Sequence, residues 1–172
     1  MNLADLFANK DLKSKAKTEK VSSWLLDNTI DADELTAFAK EAKDPVKATC
    51  IEALEYATQK NPAITTVKAF QFVTQSLAAK APRVKWESAR VIGNTAHLFT
   101  DELENAIKIL LINSEDEGTV VRWSAAFALG EILKLKTKHN DLLLDAIEAI
   151  INHEEKNSIK KIYLDALKKL RK

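Results

Sequence analysis

Apolar residues recur along this chain at intervals of three and four, as they do in helices that bury one face. Leu35, Phe38, Ala39 and Ala42 fall at i, i+3, i+4 and i+7. Leu103, Ala106, Ile107, Leu110 and Leu111 repeat that spacing, and Leu143, Ala146, Ile147, Ile150 and Ile151 repeat it again 40 residues later. Asp31 and Glu34 read as an N-terminal cap with its reciprocal partner, because each carboxylate can accept an orphan N–H. Pro45, Pro62 and Pro82 stand where first helical residues are expected and the missing N–H costs nothing. The pattern predicts helices over residues 45–60, 62–80, 82–98, 101–113, 119–136, 140–153 and 157–170. Before them, Leu3, Leu6 and Phe7 line a short amphipathic turn, and Trp24, Leu25 and Leu26 finish a first helix. Asn113 to Thr119 is the most loop-like stretch. Short connections favour antiparallel neighbours.

The helices are copies. V-R-W-S-A-A-F-A-L-G starts at Val121, V-K-W-E-S-A-R-V-I-G at Val84, V-K-A-T-C-I-E-A-L-E at Val46 and I-K-K-I-Y-L-D-A-L-K at Ile159, so the starts lie 38, 37 and 38 residues apart. A fixed period of this size marks stacked helical pairs. Val121, Ala125, Ala128, Leu129 and Ile132 share one arc of the wheel and pack on the partner helix of their own pair. Ala126 and Gly130 form a second arc that lets the next repeat approach. Glycine inside a helix costs about 1 kcal/mol, so its use at both Gly93 and Gly130 needs a packing reason. A basic residue follows the first position of each copy (Lys47, Lys85, Arg122, Lys160), and Arg122 is placed to bond acidic groups or carbonyls between repeats.

V-[RK]-x-x-[AS]-A-x-x-[LI]-G at this spacing resembles the HEAT repeat superfamily, most of all its short, Ala-rich, bacterial-type repeats. The resemblance is clear over Pro82–His153 and weaker before. It implies an all-α, right-handed α-solenoid of about four antiparallel helix pairs plus a closing C-terminal helix. The whole chain then forms one domain, with units near 1–43, 44–80, 81–114 and 118–153 and the closing helix at 157–170. The copy at Val46 carries Glu55 where glycine is expected, and the copy at Ile159 carries Lys168, so close packing is expected to relax at both ends.

Composition narrows the function. The net charge of +1 gives no strong pull toward nucleic acid or acidic membranes. No run approaches the roughly 18 apolar residues of a membrane span, and the N-terminus lacks a signal-peptide pattern, so a cytoplasmic location follows by default. Cys50, the single cysteine, reads as a small buried residue. No phosphate loop, GxSxG or HExxH occurs. His97, His139 and His153 sit on separate elements without zinc spacing. The expectation is a protein with no enzyme activity, no cofactor and no metal.

Two surfaces remain as candidates. Trp86 and Trp123 hold the same repeat position and fit either packing between repeats, which their angular position favours, or an aromatic patch for a partner or a flipped base. The second is the face of the second helices opposite their leucine stripe, expected to line a concave groove. It carries Val67, Gln71 and Thr74, then Asp101, Asn105, Lys108 and Ile112, then Asp141, Asp145, Glu148 and Asn152. This stripe runs from neutral to acidic. The preferred expectation is a scaffold or adaptor that binds a protein or peptide through that face, by apolar anchors with charges setting orientation. The rival is a nucleic-acid binder similar to the HEAT-like alkylation-repair glycosylases, recruiting Trp86, Trp123, Arg83, Arg90, Arg122 and the Lys10–Lys20 segment. A third reading is an assembly factor for a cofactor-bearing enzyme.

Overall fold

A computed structural model describes residues 1–172 and contains ten α-helices and no strand. They are α1 (Leu3–Ala8), α2 (Ser14–Leu26), α3 (Ala32–Lys40), α4 (Asp44–Lys60), α5 (Val67–Ser76), α6 (Pro82–Thr95), α7 (Leu103–Asn113), α8 (Thr119–Lys134), α9 (Asn140–His153) and α10 (Asn157–Leu170). Pro45 and Pro82 sit in the first turns of α4 and α6, as their fixed φ allows. Asp31 caps α3 by accepting from the Glu34 amide at 2.8 Å.

Some boundaries move for local reasons. Pro62 opens a 3-10 turn, Pro62–Ile64, and α5 begins only where Thr66 accepts the Ala69 amide at 3.0 Å. The helix from Pro82 stops at Thr95 and gives way to a 3-10 turn over Ala96–Leu98. The one from Thr119 stops at Lys134, because Lys136 turns left-handed with φ 55°. Lys10–Lys20 is not a free arm. Lys17 donates to the Phe7 carbonyl at 3.0 Å and lies over the Phe7 ring, and Lys20 lies over Trp24.

The helices alternate between two layers. α2, α4, α6, α8 and α10 stack side by side in close contact, while α3, α5, α7 and α9 form a second, more widely spaced layer. One apolar cluster of 41 buried residues runs from Leu3 to Leu167, so the stack is one continuous unit. The copies that start at Val46, Val84, Val121 and Ile159 all lie in the close layer. Their small residues explain the approach: Ala126 and Ala128 are fully buried, and Gly93 lies against the Phe127 ring. In two of the four copies the recurring basic residue rivets the repeat to the next loop. Lys85 meets Asp116 at 2.9 Å, and Arg122 meets Glu154 at 3.0 Å while also donating to the Asp116 and Glu117 carbonyls. Asn94 reaches back to the Glu55 carbonyl and Thr58, and Asn113 to the Leu77 carbonyl.

A stack bends toward the layer whose helices lie closer together. The inner, concave side is therefore formed by α2, α4, α6, α8 and α10, which reverses the expectation that the second helices line the groove. A helical wheel tells which side of a helix is apolar, not how near its neighbours come. No helix is long and apolar enough to cross a membrane.

Candidate functional site

The solvent-facing side of the inner layer carries a band of chemistry across three consecutive helices. On α4, Glu52, Glu55 and Tyr56 are spaced i, i+3, i+4. On α6, Arg83, Trp86, Glu87 and Arg90 are spaced i, i+3, i+4, i+7. On α8, Trp123 and Phe127 are one turn apart. Each spacing puts its residues on one helix face, and close helix stacking brings the three faces together.

The contacts tie these residues into one cluster. Arg83 donates to a Glu52 carboxylate oxygen at 3.0 Å and to the Thr49 hydroxyl at 3.2 Å. The Arg90 guanidinium lies 3.7 Å from Glu55 and 5.9 Å from the centre of the Trp123 ring. Trp123 stacks on Phe127 with ring centres 6.1 Å apart. The Trp86 indole N–H donates to Glu87 at 3.1 Å, and the Gln59 amide donates to Glu55.

Two of the carboxylates are buried. Glu55 is 1% exposed and Glu87 3% exposed, and each keeps one oxygen, Oε2, with no hydrogen-bond partner. Burial disfavours the charged form. It pushes the Glu87 carboxyl up to about 7, with help from the negative charges of Glu52 and Glu55 and against the Trp86 hydrogen bond and Arg90. Burial also raises Glu55, opposed by the Gln59 hydrogen bond and Arg90. The exposed Tyr56 hydroxyl is raised by burial and by the charges of Glu52, Glu55 and Glu87. No group of three His, Cys, Asp or Glu side chains has a geometry that holds a metal ion. The cluster therefore offers aromatic faces and unsatisfied acceptors.

Trp86 and Trp123 do not pair with each other. Trp86 is half-buried and engaged with Glu87, whereas Trp123 leaves 37% of its surface to solvent and pairs with Phe127 and Arg90. Trp86 is thus engaged within the stack, while the Trp123–Phe127 pair leaves ring surface open to solvent. The acidic stripe lies elsewhere. Asp101, Asn105 and Lys108 belong to α7 and the turn before it, Asp141, Asp145 and Glu148 belong to α9, and all six are exposed on the widely spaced layer. α7 and α9 barely touch, so these residues do not converge on one groove. Lys108 pairs with Glu104 on its own helix at 3.4 Å. Thr74, expected on the same stripe, is buried and bonds the Phe70 carbonyl. Arg83, Arg90 and Arg122 all face carboxylates.

Glu52, Glu55, Glu87 and Tyr56 were not candidates in the sequence. Two of the four, Glu55 and Glu87, carry a signal in the repeat alignment. Glu55 occupies the repeat position of Gly93 and Gly130, and Glu87 that of Thr49 and Ser124. A carboxylate at a small-residue position of a packed repeat is a buried charge.

No protein-family model matches the sequence, nor does any curated protein. Solved structures do match its fold. A designed armadillo repeat protein in complex with the peptide (KR)4 aligns with TM-score 0.71 at 15% identity, over 91% of this chain and 74% of that one. An engineered protein aligns with TM-score 0.71 at 16% identity, over 99% and 80%. The complex of CpcE and CpcF of phycocyanin lyase from Nostoc aligns with TM-score 0.53 at 16% identity, over 79% of this chain and 97% of that one. These likenesses establish a helical repeat solenoid. They do not single out HEAT repeats over armadillo repeats.

Proposed function

We propose that this protein is a non-catalytic scaffold that binds an extended segment of a partner protein along its inner face. The observation that carries the reading is the band of Tyr56, Trp86, Trp123 and Phe127 on three successive helices. Amphipathic rings held on rigid helices supply contact area at low entropic cost. Neighbouring helices spaced about 10 Å apart match about three residues of extended chain, so one peptide crosses all three helices in a few residues. The designed armadillo protein held with its peptide supports the reading as a fold that accepts such a ligand. Against a nucleic-acid ligand, Glu52, Glu55 and Glu87 stand where phosphates require clustered cations.

The test is a displayed random-peptide library panned on the immobilised protein, alongside the double variant Tyr56→Ala/Trp123→Ala. Both side chains are exposed, so truncating them leaves the core intact. Sequences enriched on the wild type and lost on the double variant are expected. Equal enrichment on both proteins would move the binding surface elsewhere. Saturable binding of a labelled DNA duplex at physiological salt would replace the reading.

A further inference from the structure

We infer that the carboxylate cluster on the inner face is a seat for one basic side chain, an arginine or lysine, presented by the bound segment. The inference rests on the peptide-binding reading and names the anchor of that same face.

Three carboxylates meet here, Glu52 and Glu55 from α4 and Glu87 from α6, against two guanidinium groups. Arg83 is committed to Glu52 through a direct 3.0 Å contact. Arg90 stands 3.7 Å from Glu55, beyond hydrogen-bond distance, and makes no other polar contact, so it is held loosely between that carboxylate and the Trp123 ring. Glu87 makes no salt bridge; Arg90 acts on it only through space, and its one hydrogen-bond donor is the neutral indole N–H of Trp86. Glu55 Oε2 and Glu87 Oε2 are both buried and both without a donor. Buried polar atoms are nearly always satisfied, so two orphans in one cluster call for an explanation. The cluster lacks one positive charge and at least two N–H donors. A guanidinium or an ammonium brings both.

The surroundings fit such a guest. Tyr56 and Trp123 flank the carboxylates with exposed ring surface, on which the aliphatic stem and the cationic head of Arg or Lys pack favourably. Arg90, a half-exposed and weakly tied side chain, is the group that moves to admit it. In the free protein Arg90 stands in for the guest. A neutral donor can satisfy an acceptor but does not bring the missing charge, and an acidic side chain is repelled by all three carboxylates.

Three fluorescein-labelled octapeptides decide it: alternating Lys-Arg, alternating Gln-Ser and alternating Glu-Ser. Anisotropy titrations at pH 8 and physiological salt compare the wild type with Glu87→Gln, Glu55→Gln and Glu148→Gln. The last lies on the outer layer and serves as control. The basic peptide is expected to bind the wild type at least about tenfold more tightly than the other two. Glu87→Gln and Glu55→Gln each weaken it by at least about tenfold, as loss of one partner of a desolvated charge pair does, and Glu148→Gln leaves it within about twofold. Equal binding of the basic and neutral peptides, or unchanged binding by Glu87→Gln and Glu55→Gln, overturns the seat. The two readings fail separately. Peptides that bind in a Trp123-dependent way without charge preference sink the seat alone. A protein on which no peptide, panned or synthetic, depends on Trp123 sinks both.

Discussion

The residue that sets the character of the inner face is Glu87, and it works against the stability of the fold. Its carboxyl titrates near 7 when folded but near 4.5 as an ordinary glutamate. Between those values the folded chain holds more protons than the unfolded one, so stability falls as pH rises through that window. The full loss, reached above about pH 7, is at most about 3 kcal/mol by linkage. The charged groups acting on it are Glu52 and Glu55 from α4 and Arg90 from its own helix. Glu87→Gln removes the ionisation but keeps an acceptor for the Trp86 N–H. Thermal melts of the two proteins are therefore expected to coincide near pH 4, below the ordinary glutamate value, and to separate at pH 8, with the variant more stable by about 1–3 kcal/mol. A variant that is less stable at pH 8 would mean that Glu87 is already compensated in the free protein. Removing a charge that weakens the fold and at the same time weakens peptide binding is what a site kept for function predicts. Cys50 makes the contrast. It is buried, and burial pushes its thiol up to about 12, so it packs as an inert small residue.

At the scale of helices, the two glycines shared by the repeat separate into different roles. A Cβ on Gly93 meets Phe127 Cε1 at 2.5 Å, which no side chain tolerates without movement. A Cβ on Gly130 meets the Ala166 Cβ at 3.4 Å, an ordinary contact. Gly130→Ala is therefore expected to raise stability by up to about 1 kcal/mol through helix propensity. Gly93→Ala is expected to lower it by about 1–2 kcal/mol through overpacking. It also displaces Phe127 from Trp123, so peptide binding falls with it. Chemical denaturation of both variants checks the signs, and equal effects would remove the distinction. The sequence made the shared glycine position legible, because a 37-residue offset aligns Gly93 with Gly130. It did not say which of them is tight, since that depends on Phe127 in one neighbour and Ala166 in the other. The same limit hid the inner layer. Periodicity showed the apolar arc of every helix, but the spacing between helices follows from side chains some 37 residues apart. Pro62 was misplaced for a purely local reason, since proline fits a 3-10 turn as well as a helix start and Thr66 supplies the better cap.

Over the whole molecule, stability in such a stack is close to a sum of neighbour interfaces. α4, α6 and α8 each pack between two helices of the close layer, whereas α10 has only α8 there and the short α1 rests on α2 and, through Phe7 on Phe38, on α3. α9 buries just three side chains, Leu143, Ile147 and Ile150. Local opening should therefore begin at the ends and at α9, and the centre should open last. Native-state hydrogen exchange is expected to show amides of α1, α9 and α10 exchanging about 100-fold faster than those of α6, a gap of about 3 kcal/mol. Uniform protection along the chain would instead make the stack a single all-or-none unit. The gradient bears on function, because Tyr56, Trp86, Glu87 and Trp123 all lie on α4, α6 and α8. A binding face on the last helices to open is ordered before its ligand arrives, so little affinity is lost to ordering it. A chain ending at Lys156 loses the burial of Ile159, Tyr163 and Leu167 against α8, about 1.5–3 kcal/mol for each large apolar side chain. If the truncated protein still folds, it should melt earlier yet bind the basic peptide within about twofold of the full chain, since none of the seat's residues is removed. Loss of binding in a truncated protein whose α6 amides stay protected would place part of the seat on α10.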